Sequence, residues 1–205
     1  MRTFQIFRFG LWATLLFFAS WSQAAQTLLV FGDSLSAGYG LRQDAAWPVL
    51  LGKRLQERNY HYTVVNASIS GETSRGGVTR IDALLLKHQP RVVIVALGAN
   101  DGLRGLPVSE LRDNLTSIVS HAQQRHARVL LVGQRIPPNY GPYANQFRAV
   151  FGEVAKARKT ALVDFMLAAI AADMRYFQAD NLHPTAEAQT LILDTLWPAL
   201  EPLLK

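Results

Sequence analysis

Residues 28–40 read LLVFGDSLSAGYG: four apolar residues, then glycine, aspartate and serine with no transition between them. An apolar run without polar alternation marks a strand covered on both faces, as in parallel sheets. Thr27–Phe31 is therefore read as a strand, and Gly32-Asp33-Ser34 as the point where the chain leaves the sheet. Taken alone, Asp33 and Ser34 suit a turn or a helix start, because their short side chains bond nearby backbone amides. The carboxyl end of a strand is also where an open α/β sheet meets its ligand, which makes Ser34 a candidate nucleophile.

Working outward, further strand candidates are Tyr62–Asn66, Arg91–Leu97, Arg128–Gly133 and Thr160–Val163, short β-branched and Leu-rich runs of which several are apolar almost throughout. Between these runs apolar residues return every three or four positions: Trp47, Leu50, Leu51 and Leu55; Val78, Ile81 and Leu85; Leu111, Leu115, Ile118 and Ala122; Phe147, Val150, Phe151 and Val154. These are helices with one buried stripe, and a last one is expected from Thr185 with Ala188, Leu191, Ile192 and Leu196 inward. Strand and helix in strict alternation imply right-handed crossovers and a parallel sheet covered on both sides. The expected fold is a three-layer α/β/α sandwich around a five-stranded parallel sheet, formed by one domain over residues 25–205.

The start of the chain reads differently. MRTFQIFRFGLWATLLFFASWSQAA carries Arg2 and Arg8, an apolar run from Phe9 to Ala19, and the small-x-small pattern Ser22-Gln23-Ala24. That is the layout of a secretory signal peptide over residues 1–24, and the apolar run is shorter than the ~20 residues a membrane span needs. Without Arg2 and Arg8 the formal charge falls from +6 to +4. The remaining basic residues are scattered rather than gathered into a stripe, so nucleic acid is not a partner, and at most a weak attraction to anionic lipid is left. The 205 residues include no cysteine, which excludes disulfides, thiolate metal sites and a cysteine nucleophile.

If the sheet is parallel, the residues just after each strand share one edge. Those residues are Gly32-Asp33-Ser34, then Ser68-Ile69-Ser70-Gly71-Glu72-Thr73, then Gly98-Ala99-Asn100-Asp101-Gly102, and finally Asp180-Asn181-Leu182-His183-Pro184 before the last helix. Acyl transfer asks for such an assortment. A serine hydroxyl needs a base to take its proton, and the His183 imidazole suits the task. The base needs a group that fixes its tautomer, and Asp180 lies three positions earlier. The developing oxyanion needs donors, which the backbone N–H groups of Ser34 and Gly71 and the Asn100 carboxamide can supply. Each residue alone reads more simply: Gly71 and Asn100 as turn formers, Asp180 as a binder of backbone amides, His183 as the approach to a helix opened by Pro184. Their occurrence together on one edge favours chemistry.

Other motifs fail. Gly71 and Gly76 have phosphate-loop spacing, but Gly77-Val78 follows where Lys-Ser/Thr is required. Gly38 and Gly40 lack the third glycine of a dinucleotide fingerprint. His61, His88, His121 and His126 show no metal-ligand spacing.

In these blocks the chain resembles the SGNH (GDSL) hydrolase superfamily: Gly32-Asp33-Ser34-Leu35, Gly71, Gly98-x-Asn100-Asp101 and Asp180-x-x-His183-Pro184. The segments GDSLSAGYG, VVNASISGETS, LGANDGLRG, PPNYGPY and DNLHP are similar, more narrowly, to its bacterial periplasmic thioesterase, lysophospholipase and arylesterase group. The resemblance covers nearly all of the chain after Ala24. It implies a flavodoxin-like fold, a triad of Ser34, Asp180 and His183, an oxyanion hole of Ser34, Gly71 and Asn100, and an acyl groove walled by Leu103, Leu106, Ile136, Pro137 and Tyr140. It implies a monomer, periplasmic or secreted, that hydrolyses small-molecule esters or thioesters with apolar acyl chains and uses no metal or cofactor. A lipid-binding carrier without turnover and a carbohydrate O-acetyl esterase are the alternatives. Two departures stand out: Ala99 replaces a usual glycine, which would strain the turn if its φ were positive, and Asn181 stands where glycine is common.

Overall fold

The computed structural model describes residues 25–205, so the expected leader lies outside the described residues. The chain enters the sheet as β1 (Gln26–Gly32), makes one helical turn, α1 (Ser34–Ala37), and returns along α2 (Trp47–Glu57). Then come β2 (Tyr62–Asn66), α3 (Ser74–His88), β3 (Val92–Ala96), the short α4 (Ala99–Leu103), α5 (Val108–Gln124) and β4 (Arg128–Val132). The helix α6 (Pro142–Arg158), β5 (Ala161–Val163) and α7 (Ala188–Leu200) complete the order.

All four strand pairings are parallel, in the order β2-β1-β3-β4-β5. The first crossover moves to one side of β1 and the later ones to the other, so the winding reverses between β1 and β3. This is the flavodoxin-like order, and a ligand crevice is expected at that reversal. Each strand falls within one residue of the end expected from sequence.

Alternation along the strands feeds two separate cores. Leu28 and Val30 of β1 and Val92 and Ile94 of β3 pack with Trp47, Leu51 and Leu55 of α2 and Ile192 and Leu196 of α7. Leu29, Phe31, Val93 and Val95 point to the other face, against Ile81 and Leu85 of α3, Leu115 and Ile118 of α5, and Phe147 and Phe151 of α6. Each such side chain contributes ~1.5–3 kcal/mol by leaving water. Two helix starts are set by particular side chains. Trp47 donates its N–H to Gln189 Oε1 of α7 at 3.0 Å, and Thr73 caps α3 by accepting the Gly76 N–H at 3.3 Å.

The last helix begins at Ala188, not at Thr185 as expected. Thr185 donates its N–H to the Tyr176 carbonyl at 2.8 Å, and Pro184 pairs with Phe177 in an isolated antiparallel bridge. Those contacts hold the chain extended until it has passed the site.

Candidate active site

At the end of β1 the fully buried Asp33 caps α1, its Oδ1 accepting the Leu35 N–H at 3.1 Å. The next residue, Ser34, opens that helical turn and faces the crevice. Burial pushes the Asp33 carboxyl up to about 7; the Leu35 N–H opposes the shift, while Asp101 and Glu72 nearby add to it. Among the described residues Asp33 Oδ2 has no hydrogen-bond partner.

The segment between β5 and α7 returns to the same edge. Asp180 Oδ1 accepts the N–H groups of Leu182 at 3.0 Å and His183 at 2.9 Å, and Oδ2 lies 2.6 Å from His183 Nδ1. A carboxylate can only accept, so Nδ1 carries the proton and Nε2 has a free lone pair. That Nε2 lies 2.9 Å from Ser34 Oγ, across 149 residues of chain. The His183 backbone N–H, then its ring, then the Leu182 N–H pull the Asp180 carboxyl down to about 2. Asn181 takes the left-handed conformation, φ 57°, which its side chain tolerates.

Gly71 sits at φ +79° with only Arg104 Nη2 near the position a Cβ would take, at 4.0 Å. The loop that carries it is registered on β1 by Ala67 N–H to the Val30 carbonyl (2.9 Å) and Ile69 N–H to the Gly32 carbonyl (3.0 Å). From the other side α4 holds the loop: Asn100 Nδ2 donates to the Glu72 carbonyl and Arg104 Nη2 to the Gly71 carbonyl, each at 3.0 Å. Asn100 keeps a second amide hydrogen for the crevice. The positive φ in the preceding turn falls on Gly98, at +115°, so Ala99 begins α4 without the strain considered from sequence.

Beneath these groups lies a polar layer that the sequence did not reveal. Asp101 accepts the Ser74 N–H at 2.8 Å and its Oγ–H at 2.5 Å, while Asn114 Nδ2 donates to the same Ser74 Oγ at 2.9 Å. Glu72 pairs with Arg80, whose Nη1 reaches the Ala67 carbonyl at 2.7 Å and whose guanidinium lies over the Phe31 ring. One signal was present: Asn114 interrupts the apolar face of α5 beside Leu115.

Ser34, Gly71, Asn100 and His183 all line one cleft of about 280 Å³. Of the five expected groove residues, Leu103, Ile136 and Pro137 line it as well, together with Leu35, Tyr39, Ala99, Gln134, Leu167 and Leu182, none of which was expected in the groove. Leu106 and Tyr140 are not among its walls. The Tyr140 hydroxyl braces the wall residue Leu103 by donating to its carbonyl at 3.0 Å, whereas the Leu106 carbonyl accepts from the Tyr143 hydroxyl at 2.7 Å.

Comparison with known proteins places the fold and the family. Residues 30–191 match the model of the GDSL-like lipase/acylhydrolase family. Esterase TesA of Pseudomonas aeruginosa is 50% identical over 182 residues, covering 88% of this chain and 90% of the relative. Thioesterase 1/protease 1/lysophospholipase L1 of Escherichia coli K12 is 42% identical over 181 residues, covering 88% and 86%. The crystal structure of TesA superposes with a TM-score of 0.85 at 49% identity, covering 87% of this chain and 99% of that one. The match to the family model, the shared fold and this level of identity over most of both chains leave one assignment: the chain belongs to the GDSL-like lipase/acylhydrolase family of SGNH hydrolases and is an esterase.

Proposed function

We propose that the chain is an exported serine esterase that cleaves esters and thioesters of apolar acyl chains through an acyl-enzyme on Ser34. The observation that carries this reading is the run of contacts Asp180–His183–Ser34, at 2.6 and 2.9 Å, opening on an apolar cleft. Ser34 Oγ attacks the carbonyl carbon as its proton passes to His183 Nε2. The electron pair displaced onto the carbonyl oxygen is met by the N–H groups of Ser34 and Gly71 and the Asn100 amide. Collapse expels the alcohol or thiol, which takes the proton from His183. Water then repeats the sequence on the acyl-enzyme, giving up its proton to Nε2, which returns it to Ser34 Oγ. Asp180 orients the imidazole and stabilises its charged form.

The apolar walls Leu35, Leu103, Ile136 and Leu167 favour a flexible acyl chain over an acetyl group, and an intact base argues against a carrier that only binds. Acyl thioesters, lysophospholipids and aryl esters are the substrate classes; the names of the Escherichia coli relative include the first two. Arg2, Arg8 and the apolar run before Ala24 support export, and the enzyme then works as a periplasmic or secreted monomer, with weak lipid contact at most. Hydrolysis of p-nitrophenyl esters of increasing chain length by the wild type and Ser34→Ala tests the reading. Loss of turnover in the variant, with an organophosphonate adduct on Ser34 in the wild type, is expected. Equal rates in the two would refute it.

A further inference from the structure

Asp180 and His183 share one loop, joined to each other by two hydrogen bonds, but the nucleophile lies on a distant segment. Among the described residues, two side-chain hydrogen bonds join the Ser34–Gly40 segment to that loop: the reacting pair itself, and Gln178 Nε2 to the Tyr39 carbonyl at 2.8 Å. The same Nε2 donates to the Pro184 carbonyl at 3.0 Å, and the Gln178 N–H donates to the His183 carbonyl at 2.8 Å. Gln178 thus holds the two successive carbonyls of His183 and Pro184 and ties them to the nucleophile's segment. The fit is close. A Cβ on Gly40 would come within 2.2 Å of Gln178 Oε1, so the chain beside Tyr39 has room for this amide only because residue 40 has no side chain. Beyond this tie, the Tyr39 ring packs against the imidazole, with centroids 4.3 Å apart and planes tilted by 35°. Asp180 and Ser34 restrain the ring only at its two nitrogens; Tyr39 covers a face.

We propose that Tyr39 is a positioning residue for the reaction, acting on His183 through a clamp closed by Gln178; this rests on the roles proposed above for Ser34, Asp180 and His183. The aromatic face limits tilting of the imidazole between its two in-plane bonds, and it favours the positive charge the ring acquires in the transition state. Misplacement of a reacting group by about 1 Å costs on the order of 100-fold in rate, so a clamp that controls a fraction of that distance is measurable.

The test compares Tyr39→Phe, Tyr39→Leu, Gln178→Met and the Tyr39→Leu/Gln178→Met double variant in the full chain. The readouts are kcat and KM for p-nitrophenyl butyrate, normalised by phosphonate titration of active sites so that a reduced folded fraction does not count as lost rate. Tyr39→Phe keeps the ring and is expected within about twofold of wild type, whereas Tyr39→Leu and Gln178→Met each lower kcat about tenfold with KM little changed. The double variant is expected close to the poorer single one, because both act through one device. A rise in KM with kcat intact, an equal loss in Tyr39→Phe, or independent additive losses would each overturn the proposal. A wild type no faster than Ser34→Ala overturns the functional reading itself, and the clamp with it; an active wild type with unaffected clamp variants overturns the clamp alone.

Discussion

Asp33 and Asp180 flank the reacting pair, and their surroundings drive them in opposite directions. Asp180 is held at about 2 by N–H donors and the imidazole, below its ordinary 3.8. It is therefore ionised throughout the neutral range, and the stability it lends is present above about pH 4 and lost as pH falls through about 2. Asp180→Asn keeps the shape but favours the wrong imidazole tautomer, so a fall in kcat of about 10³–10⁴-fold is expected from steady-state assays, with KM little changed. Asp33 is raised from 3.8 to about 7 by burial. Between those values the unfolded chain has released a proton that the native chain keeps, so this group lowers stability as pH rises from about 4 to about 7, by up to roughly 4 kcal/mol. Asp33→Asn still caps α1 and does not titrate. Urea midpoints measured near pH 4.5 and 7.5 are expected to fall less across that interval in the variant than in the wild type.

The short α4 shows what an element adds beyond its residues. Asn100 and Arg104 stand one turn apart and hold the carbonyls of Glu72 and Gly71, so one helical face fixes the loop that presents the Gly71 N–H. Arg104→Ala leaves the core untouched. It is expected to lower kcat about three- to tenfold with a small change in thermal midpoint, a split that steady-state kinetics and calorimetry read separately. Elements of this size were not legible beforehand: α1 and α4 have four and five residues, too few for a 3.6-residue period to register. β1, β3 and β4 were legible because both their faces are buried, which leaves nearly continuous apolar runs, whereas the edge strands β2 and β5 are only partly buried and offered shorter apolar runs. His183 and Asp180 were legible because they sit just before the last helix. Tyr39 and Gln178 were not, because their contacts join segments far apart in sequence, which no local spacing records.

Across the whole molecule, stability rests on two cores that the sheet keeps apart. Leu51 of α2 belongs to one and Leu115 of α5 to the other, and both are fully buried. Each Leu→Ala change is expected to cost about 2–5 kcal/mol in denaturant unfolding, and the double variant the sum to within about 0.5 kcal/mol, because the two cavities share no partner. The reversal of winding between β1 and β3 was implied by the resemblance rather than by any periodicity, since strand order depends on which helix covers which face. That topology also sets the order in which competence is acquired during synthesis. Ser34 leaves the ribosome well before Asp180 and His183 do. On the roles proposed for these residues, a nascent chain that has not yet produced the segment between β5 and α7 holds a nucleophile without a base, so ester hydrolysis waits until that segment has been made and has folded onto the sheet edge.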